Sequence, residues 1–191
     1  MSSALVVLAL VLGAPPAPVA TALKAAPKGL QVQGRFHAGL RFKDVDGEHV
    51  LVLSTKDAPG ARHLFAVLAK ETKGRFEVQR TVKDWEQDCE FDLMVGFHDD
   101  ATQVSDADGD GRAEVTFAYE LGCVSDVSPV GLKLMLLEGP DKYAVRGQTR
   151  VRVSETEWMG GERTLDPALD AVPKLKALAA ARWTALITRG E

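Results

Sequence analysis

The 191-residue sequence has none of the short motifs that mark the common catalytic and nucleotide-binding sites. It contains no Gly-rich phosphate loop, no His-Glu-x-x-His zinc pair and no Gly-x-Ser-x-Gly nucleophile elbow. It also has no basic patch, and its formal net charge of −4 argues against a nucleic-acid partner. These absences favour a binding or structural protein over an enzyme.

Long apolar runs are scarce, and the one that stands out is Leu5–Leu12 near the N terminus. This run is too short to span a bilayer, and it is followed by a small-x-small cleavage site at Ala20–Ala22. We therefore predict that residues 1–22 are a signal peptide, which makes the protein periplasmic or secreted with no membrane span after leader removal. No Lys or Arg precedes the run, and an apolar N-terminal strand or helix is the alternative.

Cysteine is equally scarce, with one residue at position 89 and one at position 123. In an exported protein an isolated pair usually forms a disulfide, and closing a loop of this length stabilises the fold by roughly 4 kcal/mol. We predict a bond between Cys89 and Cys123 that spans the acidic stretch Asp106–Glu114 and ties its two flanks together. Two buried free thiols are the alternative.

The remaining sequence fits one β-rich domain. Residues 23–34 are rich in Ala, Pro, Lys and Gly and are predicted to be a linker, and residues 35–191 form the domain. Short runs with strand-like alternation are separated by turns such as Asp57–Gly60 and Gly139–Asp141. At the C terminus, Asp166-Pro167 and helically spaced apolar residues predict a helix over about 167–188. The predicted fold class is mainly β (α+β), an antiparallel sheet domain with a C-terminal helix.

The strongest pattern for a bound ligand is the acidic loop Asp106–Glu114, which leads directly into a β-type run. Carboxylates recur at every second position, and Gly111 permits the backbone angle of a tight turn. Calcium takes about six to eight oxygen ligands from carboxylates and backbone carbonyls. The predicted ligands of a structural calcium ion are Asp106, Asp108, Asp110, Glu114 and the carbonyl of Arg112. An acidic surface turn without a cation is the alternative.

The spacing of this loop resembles the calcium loops between strands of integrin-type (FG-GAP) propeller blades. An EF-hand would place its bidentate Glu where Phe117 stands, so that motif does not fit. An earlier segment, Asp44–Gly47, echoes Asp108–Gly111, and the strands that follow each are spaced alike. We therefore predict two imperfect propeller-blade-like repeats, which are too few to close a propeller. Phe42 and Val50 replace two of the acids in the first copy, and a chance echo is the alternative.

A wider resemblance covers roughly residues 36–150. It is carried by Cys89-Glu90-Phe91-Asp92, by the acidic loop, and by Tyr119-x-x-x-Cys123-x-x-Asp126-x-Ser128-Pro129. These residues resemble a family of small exported bacterial proteins whose name links it to surface polysaccharide biosynthesis. The resemblance implies that the acidic loop, both cysteines and the turn at Asp126, Ser128 and Pro129 belong together, and it implies no reaction. The partner is left unknown, with a cell-surface glycan or an envelope protein as the candidates.

Four further residues are candidates for ligand binding: Trp85, His98, Asp126 and Trp158. The two tryptophans could stack on sugars, which would suit glycan recognition or polysaccharide assembly. His98 precedes the acidic loop and could serve as its general base, which would suit a metal-dependent hydrolase. No catalytic residue is predicted, and a calcium-stabilised binding or structural module is the preferred function.

Overall fold

The structure is a computed structural model that describes residues 18–189. Thirteen strands are found in this range: β1 (Ala20–Ala22), β2 (Arg35–Asp44), β3 (Gly47–Ala58), β4 (Ala61–Thr72), β5 (Arg75–Glu86), β6 (Asp92–Ser105), β7 (Glu114–Val124), β8 (Gly131–Glu138), β9 (Asp141–Gln148), β10 (Arg150–Arg152), β11 (Trp158–Gly160), β12 (Arg163–Leu165) and β13 (Thr188–Arg189). A 3₁₀ helix (Pro167–Ala171) and the helix α1 (Pro173–Leu186) lie between β12 and β13.

Two antiparallel sheets of five strands make up most of the molecule. Sheet A has the order β1-β2-β3-β4-β5, and sheet B has the order β12-β9-β8-β7-β6. Strands β2 to β5 and β6 to β9 each pair with the next strand along the chain, so each sheet contains a four-stranded meander. Strands β11, β10 and β13 form a small third sheet, in which β13 runs parallel to β10.

The main core lies between the two sheets. Alternate residues of β3 and β4, such as Leu51 and Leu68, pack with alternate residues of sheet B, such as Phe117, Tyr119 and Leu137. Because side chains of a strand point alternately to its two faces, the opposite residues face outward. Strand β3 is nevertheless buried without interruption from His49 to Ser54, which shows that both faces of sheet A are covered.

The segment that covers the outer face of sheet A is residues 23–34. Leu30 is buried there against Val50, Val52 and Val67, with Leu23 packed beside it. This segment, predicted from its composition to be a linker, therefore belongs to the folded domain. Of the predicted leader, residues 1–17 lie outside the described residues, and its last three residues form β1, which pairs with β2.

The C-terminal helix covers the outer face of sheet B, and its prediction is confirmed. Leu175, Ala179 and Trp183 recur every fourth residue, which puts them on one stripe of α1 against the sheet. Asp166 caps the preceding 3₁₀ helix by accepting a hydrogen bond from the Ala168 amide at 3.1 Å, and Pro173 begins α1. The antiparallel, mainly β class is confirmed as well, and no closed propeller is formed by the described residues.

Cys89 and Cys123 lie at disulfide-bonding distance, with 5.6 Å between their Cα atoms. The expectation that this bond ties the flanks of the acidic loop is corrected by the strand register. Cys123 pairs with Leu93 at one end of the β6–β7 hairpin, whereas Glu114 pairs with Ser105 at the other. Nine residues of strand separate the two ends, which corresponds to about 30 Å. The disulfide therefore closes the open end of the hairpin, far from the loop.

No helix within residues 18–189 is long and apolar enough to cross a membrane.

Candidate metal centre

The acidic loop connects β6 to β7 and gathers three carboxylates. Asp106, Asp108 and Glu114 each place one oxygen within 4.8 Å of the others, a spacing that suits ligation of one metal ion. Asp110, which was predicted to be a fourth ligand, does not join this group among the described residues. Its carboxylate instead accepts a hydrogen bond from the Arg112 amide at 2.8 Å.

Glu114 is the most informative member of the group, because its side chain is fully buried. Its Oε2 atom accepts hydrogen bonds from the Ser105 hydroxyl at 2.9 Å and the Ala107 amide at 2.8 Å. Its Oε1 atom is buried and has no hydrogen-bond partner among the described residues. Burying a carboxylate oxygen that has no hydrogen-bond partner costs free energy of folding, so the burial of this atom requires an explanation.

The electrostatics of the loop are consistent with a missing positive charge. Burial raises the pKa of Glu114, and the neighbouring carboxylates Asp108 and Asp106 raise it further. The hydrogen bonds from Ala107 and Ser105 oppose this shift without cancelling it. A cation bound at the cluster would favour the ionised form of every carboxylate in it.

Backbone amides hold the loop in its shape. Asp106 accepts hydrogen bonds from the Gly109 amide at 2.8 Å and the Gly111 amide at 3.2 Å, and Asp108 accepts one from the Asp110 amide at 3.1 Å. Both glycines have positive φ angles, +81° and +88°, which side chains with a Cβ atom rarely adopt. The carboxylates are therefore presented by a tightly wound backbone and not by a loose surface turn.

The turn between β2 and β3 supports the loop from sheet A. Asp44 accepts a hydrogen bond from the Ala113 amide at 3.1 Å, and the Val45 amide donates to the Gly111 carbonyl at 3.0 Å. At the edge of this contact, Arg112 forms an exposed ion pair with Asp46 at 3.0 Å. The two turns that the sequence suggested were related therefore lie directly against each other.

A fifth acid, Glu138, was missed by sequence reasoning. Strand β8 places it directly opposite Glu114 in the β7–β8 register. Burial raises the pKa of Glu138 to about 7, with further contributions from Asp110, Asp108 and Glu114 that Arg112 partly offsets. Only the strand pairing reveals this neighbour, because 24 positions separate it from Glu114 in the sequence.

An open cleft adjoins the loop on its other side. Asp108 forms one wall, and the other wall is residues 171–175 at the start of α1, with a cavity volume of about 480 Å³. The Lys174 ammonium donates a hydrogen bond to the Asp108 carbonyl, which fixes the start of α1 against the loop.

The other candidate residues do not converge on the acidic loop. His98 pairs with Ala118, four residues or about 13 Å along β7 from Glu114, and its Nε2 atom lies 3.8 Å from Glu120 Oε2. Trp85 lies on sheet A, 46% exposed, with the Lys83 ammonium 5.3 Å from its ring centroid.

Asp126 and Trp158 lie near a second cleft, at the end of sheet B that carries the disulfide. Asp126 accepts a hydrogen bond from Ser128 and lines a cavity of about 460 Å³ together with Arg152. Trp158 pairs with Arg152 in the small sheet, and its ring lies 4.8 Å from the guanidinium carbon of Arg150. Both tryptophans thus have a cation beside a ring face.

A partly buried polar cluster at the margin of the main core also escaped the sequence analysis. Asp84 accepts hydrogen bonds from the Tyr119 hydroxyl at 2.9 Å and from the Lys133 ammonium at 2.5 Å. Burial, reinforced by Asp84, raises the pKa of Tyr119. The cluster joins sheet A to sheet B and satisfies its own polar atoms, which is the chemistry of a structural contact.

No family model, curated protein or solved structure matches this chain. The resemblances to FG-GAP calcium loops and to the exported surface-polysaccharide family therefore stay predictions. The class that fold and site define is a two-sheet antiparallel β protein with a preformed carboxylate cluster at one end of a hairpin.

Proposed function

We propose that the protein is an exported, calcium-stabilised β-rich module that serves in binding or in structure and is not an evident enzyme. The observation that carries this proposal is the buried, unpartnered Oε1 atom of Glu114 within a cluster of three carboxylates. A cation supplies the missing partner of Glu114 and offsets the repulsion among the acids.

Calcium is the cation that this chemistry favours. The donors are carboxylates alone, whereas zinc prefers nitrogen and sulfur ligands. Magnesium demands near-ideal octahedral geometry at short distances and usually keeps several waters. A wound loop with carboxylates at alternating positions and a following strand suits the larger and more adaptable shell of calcium. The backbone carbonyl of Arg112 remains its predicted fourth protein ligand, beside the three carboxylates.

Two features support export. The cysteine pair at bonding distance is typical of proteins from oxidising compartments, and the apolar run of the leader precedes a small-x-small site. A periplasmic or extracellular location would supply millimolar calcium, which matches the weak affinities of extracellular calcium modules, roughly 10⁻⁴ to 10⁻³ M.

We also propose that the two meanders derive from one repeated unit. Strands β2 to β5 and β6 to β9 have the same order and the same nearest-neighbour pairing. The β2–β3 turn and the β6–β7 loop carry the matching Asp-x-Asp-Gly segments. Only the second copy keeps the full set of acids, so the calcium site belongs to that copy.

The test is a calcium titration by calorimetry on the metal-free protein, combined with thermal unfolding. We expect one site, and stabilisation of about 1.4 to 2.7 kcal/mol at calcium concentrations of 10 to 100 times the Kd. Glu114→Gln should remove both the binding heat and the stabilisation. Glu120→Gln, six residues along the same strand, is the matched control and should keep both.

The proposal fails if wild-type protein releases no binding heat and unfolds at the same temperature with calcium and with a chelator.

A further inference from the structure

We propose that the cleft between the acidic loop and the start of α1 binds an uncharged, hydroxyl-rich ligand of the carbohydrate class, whose hydroxyl groups complete the coordination of the cation. This inference rests on the calcium site proposed above, and it names the ligand class that the same site would take.

The first step is the position of the cleft. Asp108 belongs to the three-carboxylate group and also forms a wall of the cleft, so a cation held by the group would border the cavity. The cavity volume of about 480 Å³ lies within the range of small-molecule sites, roughly 300 to 1,000 Å³. Asp106 and Asp108 are both partly exposed, in contrast to the fully buried Glu114.

The second step is the number of ligands. Calcium takes about six to eight oxygen ligands, and only three carboxylates of the described residues lie together at the site. Asp110, whose carboxylate accepts a hydrogen bond from the Arg112 amide, lies outside this group among the described residues. Even with the Arg112 carbonyl, coordination positions remain for oxygen atoms that do not come from the chain. Asp108 is partly exposed and lines the cleft, whereas Glu114 is fully buried, so an external oxygen atom would reach the cation from the Asp108 side.

The third step is charge. The four acids of the loop are balanced by a divalent cation together with Arg112 and Lys174, so the loaded site has no net positive charge to attract an anion. Glu138 lies opposite Glu114 on the neighbouring strand and adds negative charge nearby. An anionic ligand would be repelled by these acids, whereas a pair of neutral hydroxyl oxygens could coordinate the cation without that cost.

The fourth step is the opposite wall. Ala171, Val172 and Pro173 line the cavity with apolar groups, and Lys174 supplies a hydrogen-bond donor at its edge. A ligand with hydroxyl groups on one side and C–H groups on the other matches both walls. Carbohydrate rings have this distribution, since their edges carry hydroxyls and their faces carry C–H groups.

The experiment uses the full chain with methyl α-mannopyranoside as the uncharged probe and saturation-transfer NMR as the readout. We expect saturation transfer in excess calcium and a signal at least tenfold weaker after chelation. Glucuronate, measured in parallel, is the anionic arm and should give the weaker signal. Calcium binding is followed on the same samples by calorimetry.

Two tryptophan substitutions locate the ligand. Ala171→Trp fills the cleft from an exposed position outside the carboxylate group, and should abolish probe binding while leaving the calcium Kd unchanged. Ala177→Trp lies at another exposed position of α1 and should change neither.

Calcium binding without probe binding, or probe binding that is equal with and without calcium, overturns this inference but leaves the calcium module standing. Stronger binding of glucuronate overturns the uncharged class, and probe binding that survives Ala171→Trp overturns the location. Absence of calcium binding overturns both proposals.

Discussion

The turn between β2 and β3 and the loop between β6 and β7 lie against each other, but they use their carboxylates differently. Asp44, in the first turn, accepts hydrogen bonds from the amides of Asp46, Gly47 and Ala113 and lies 3.0 Å from the Nε2 atom of buried His49. In the second loop, Glu114 keeps one buried oxygen that has no hydrogen-bond partner within residues 18–189. The acid of the first turn is thus satisfied by donors of the protein itself, whereas the buried acid of the second is only partly satisfied.

The sequence difference behind this contrast is small. Phe42 and Val50 stand in the first copy where the loop has Asp106 and Glu114, and both are buried in apolar clusters. With apolar residues at these two positions, the first turn lacks a counterpart of the carboxylate cluster among the described residues. Asp44 accepts hydrogen bonds within its own turn and also supports the acidic loop through the Ala113 amide.

Asp44→Ala should give the largest effect, because it breaks the closed turn and the support of the open loop together. The substitution removes the Asp44 carboxylate from the Nε2 atom of buried His49 and from the amides of Asp46, Gly47 and Ala113. We expect a loss of about 3 kcal/mol in the free energy of unfolding, measured by urea denaturation.

The matched control is Asp46→Ala, which removes only the exposed ion pair with Arg112 and should cost about 0 to 1 kcal/mol. Equal losses for the two variants would show that Asp44 does not connect the sheets in the way described.

Glu114→Gln tests the open site, and its effect should change sign with calcium. The raised pKa of the Glu114 carboxyl group means that its ionised form destabilises the folded state. In chelator, the neutral glutamine side chain avoids this cost, so the variant should unfold at a higher temperature than the wild type. In calcium, only the wild type gains about 1.4 to 2.7 kcal/mol, at concentrations of 10 to 100 times the Kd, so the order reverses. The same order in both buffers would contradict a cation at this site.

The acidic loop and the C-terminal helix were predictable because their signals are local. Alternating acids with glycines define a wound turn, and the Asp166-Pro167 pair with apolar residues at helical spacing defines a helix. Neither signal depends on which segments meet in space.

What the sequence could not predict depends on pairing between distant segments. Glu138 lies beside the loop because the β7–β8 register pairs it with Glu114. The disulfide lies far from the loop because β6 and β7 are long strands. The segment of residues 23–34 reads as a linker because its apolar residues are few and irregular, yet Leu30 finds an apolar face to cover. Composition describes a segment alone, and burial depends on its neighbours.

Gly111→Ala and Gly109→Ala sharpen the comparison by separating backbone strain from contact between the turns. Both glycines have positive φ angles, so each substitution should cost about 1 kcal/mol from the backbone. A Cβ atom at Gly111 would also lie 2.6 Å from Val45 Cγ1, whereas one at Gly109 meets nothing within 4 Å.

Urea denaturation should therefore show Gly111→Ala to be the less stable variant by roughly 1 kcal/mol, the low end of overpacking costs, because the Val45 side chain is exposed and can move. Equal costs would indicate that the two turns do not press on each other through Val45.

The smallest effect concerns pH, because Glu138 is partly exposed and solvent screens its interactions with the other acids. It distinguishes the crowded acids around Glu114 from the satisfied Asp44. The pKa of Glu138 is raised from 4.5 to about 7, so the folded state binds its proton more tightly than the unfolded state does. The resulting stability is present below pH 4.5 and is lost as the pH rises from 4.5 towards 7.

Metal-free protein should therefore show a melting temperature that falls across this window, and Glu138→Gln should flatten that fall. Saturating calcium should flatten it as well, because a cation offsets the charges of Asp108 and Glu114 that help to raise this pKa. A slope that Glu138→Gln leaves unchanged would assign the dependence to other carboxylates.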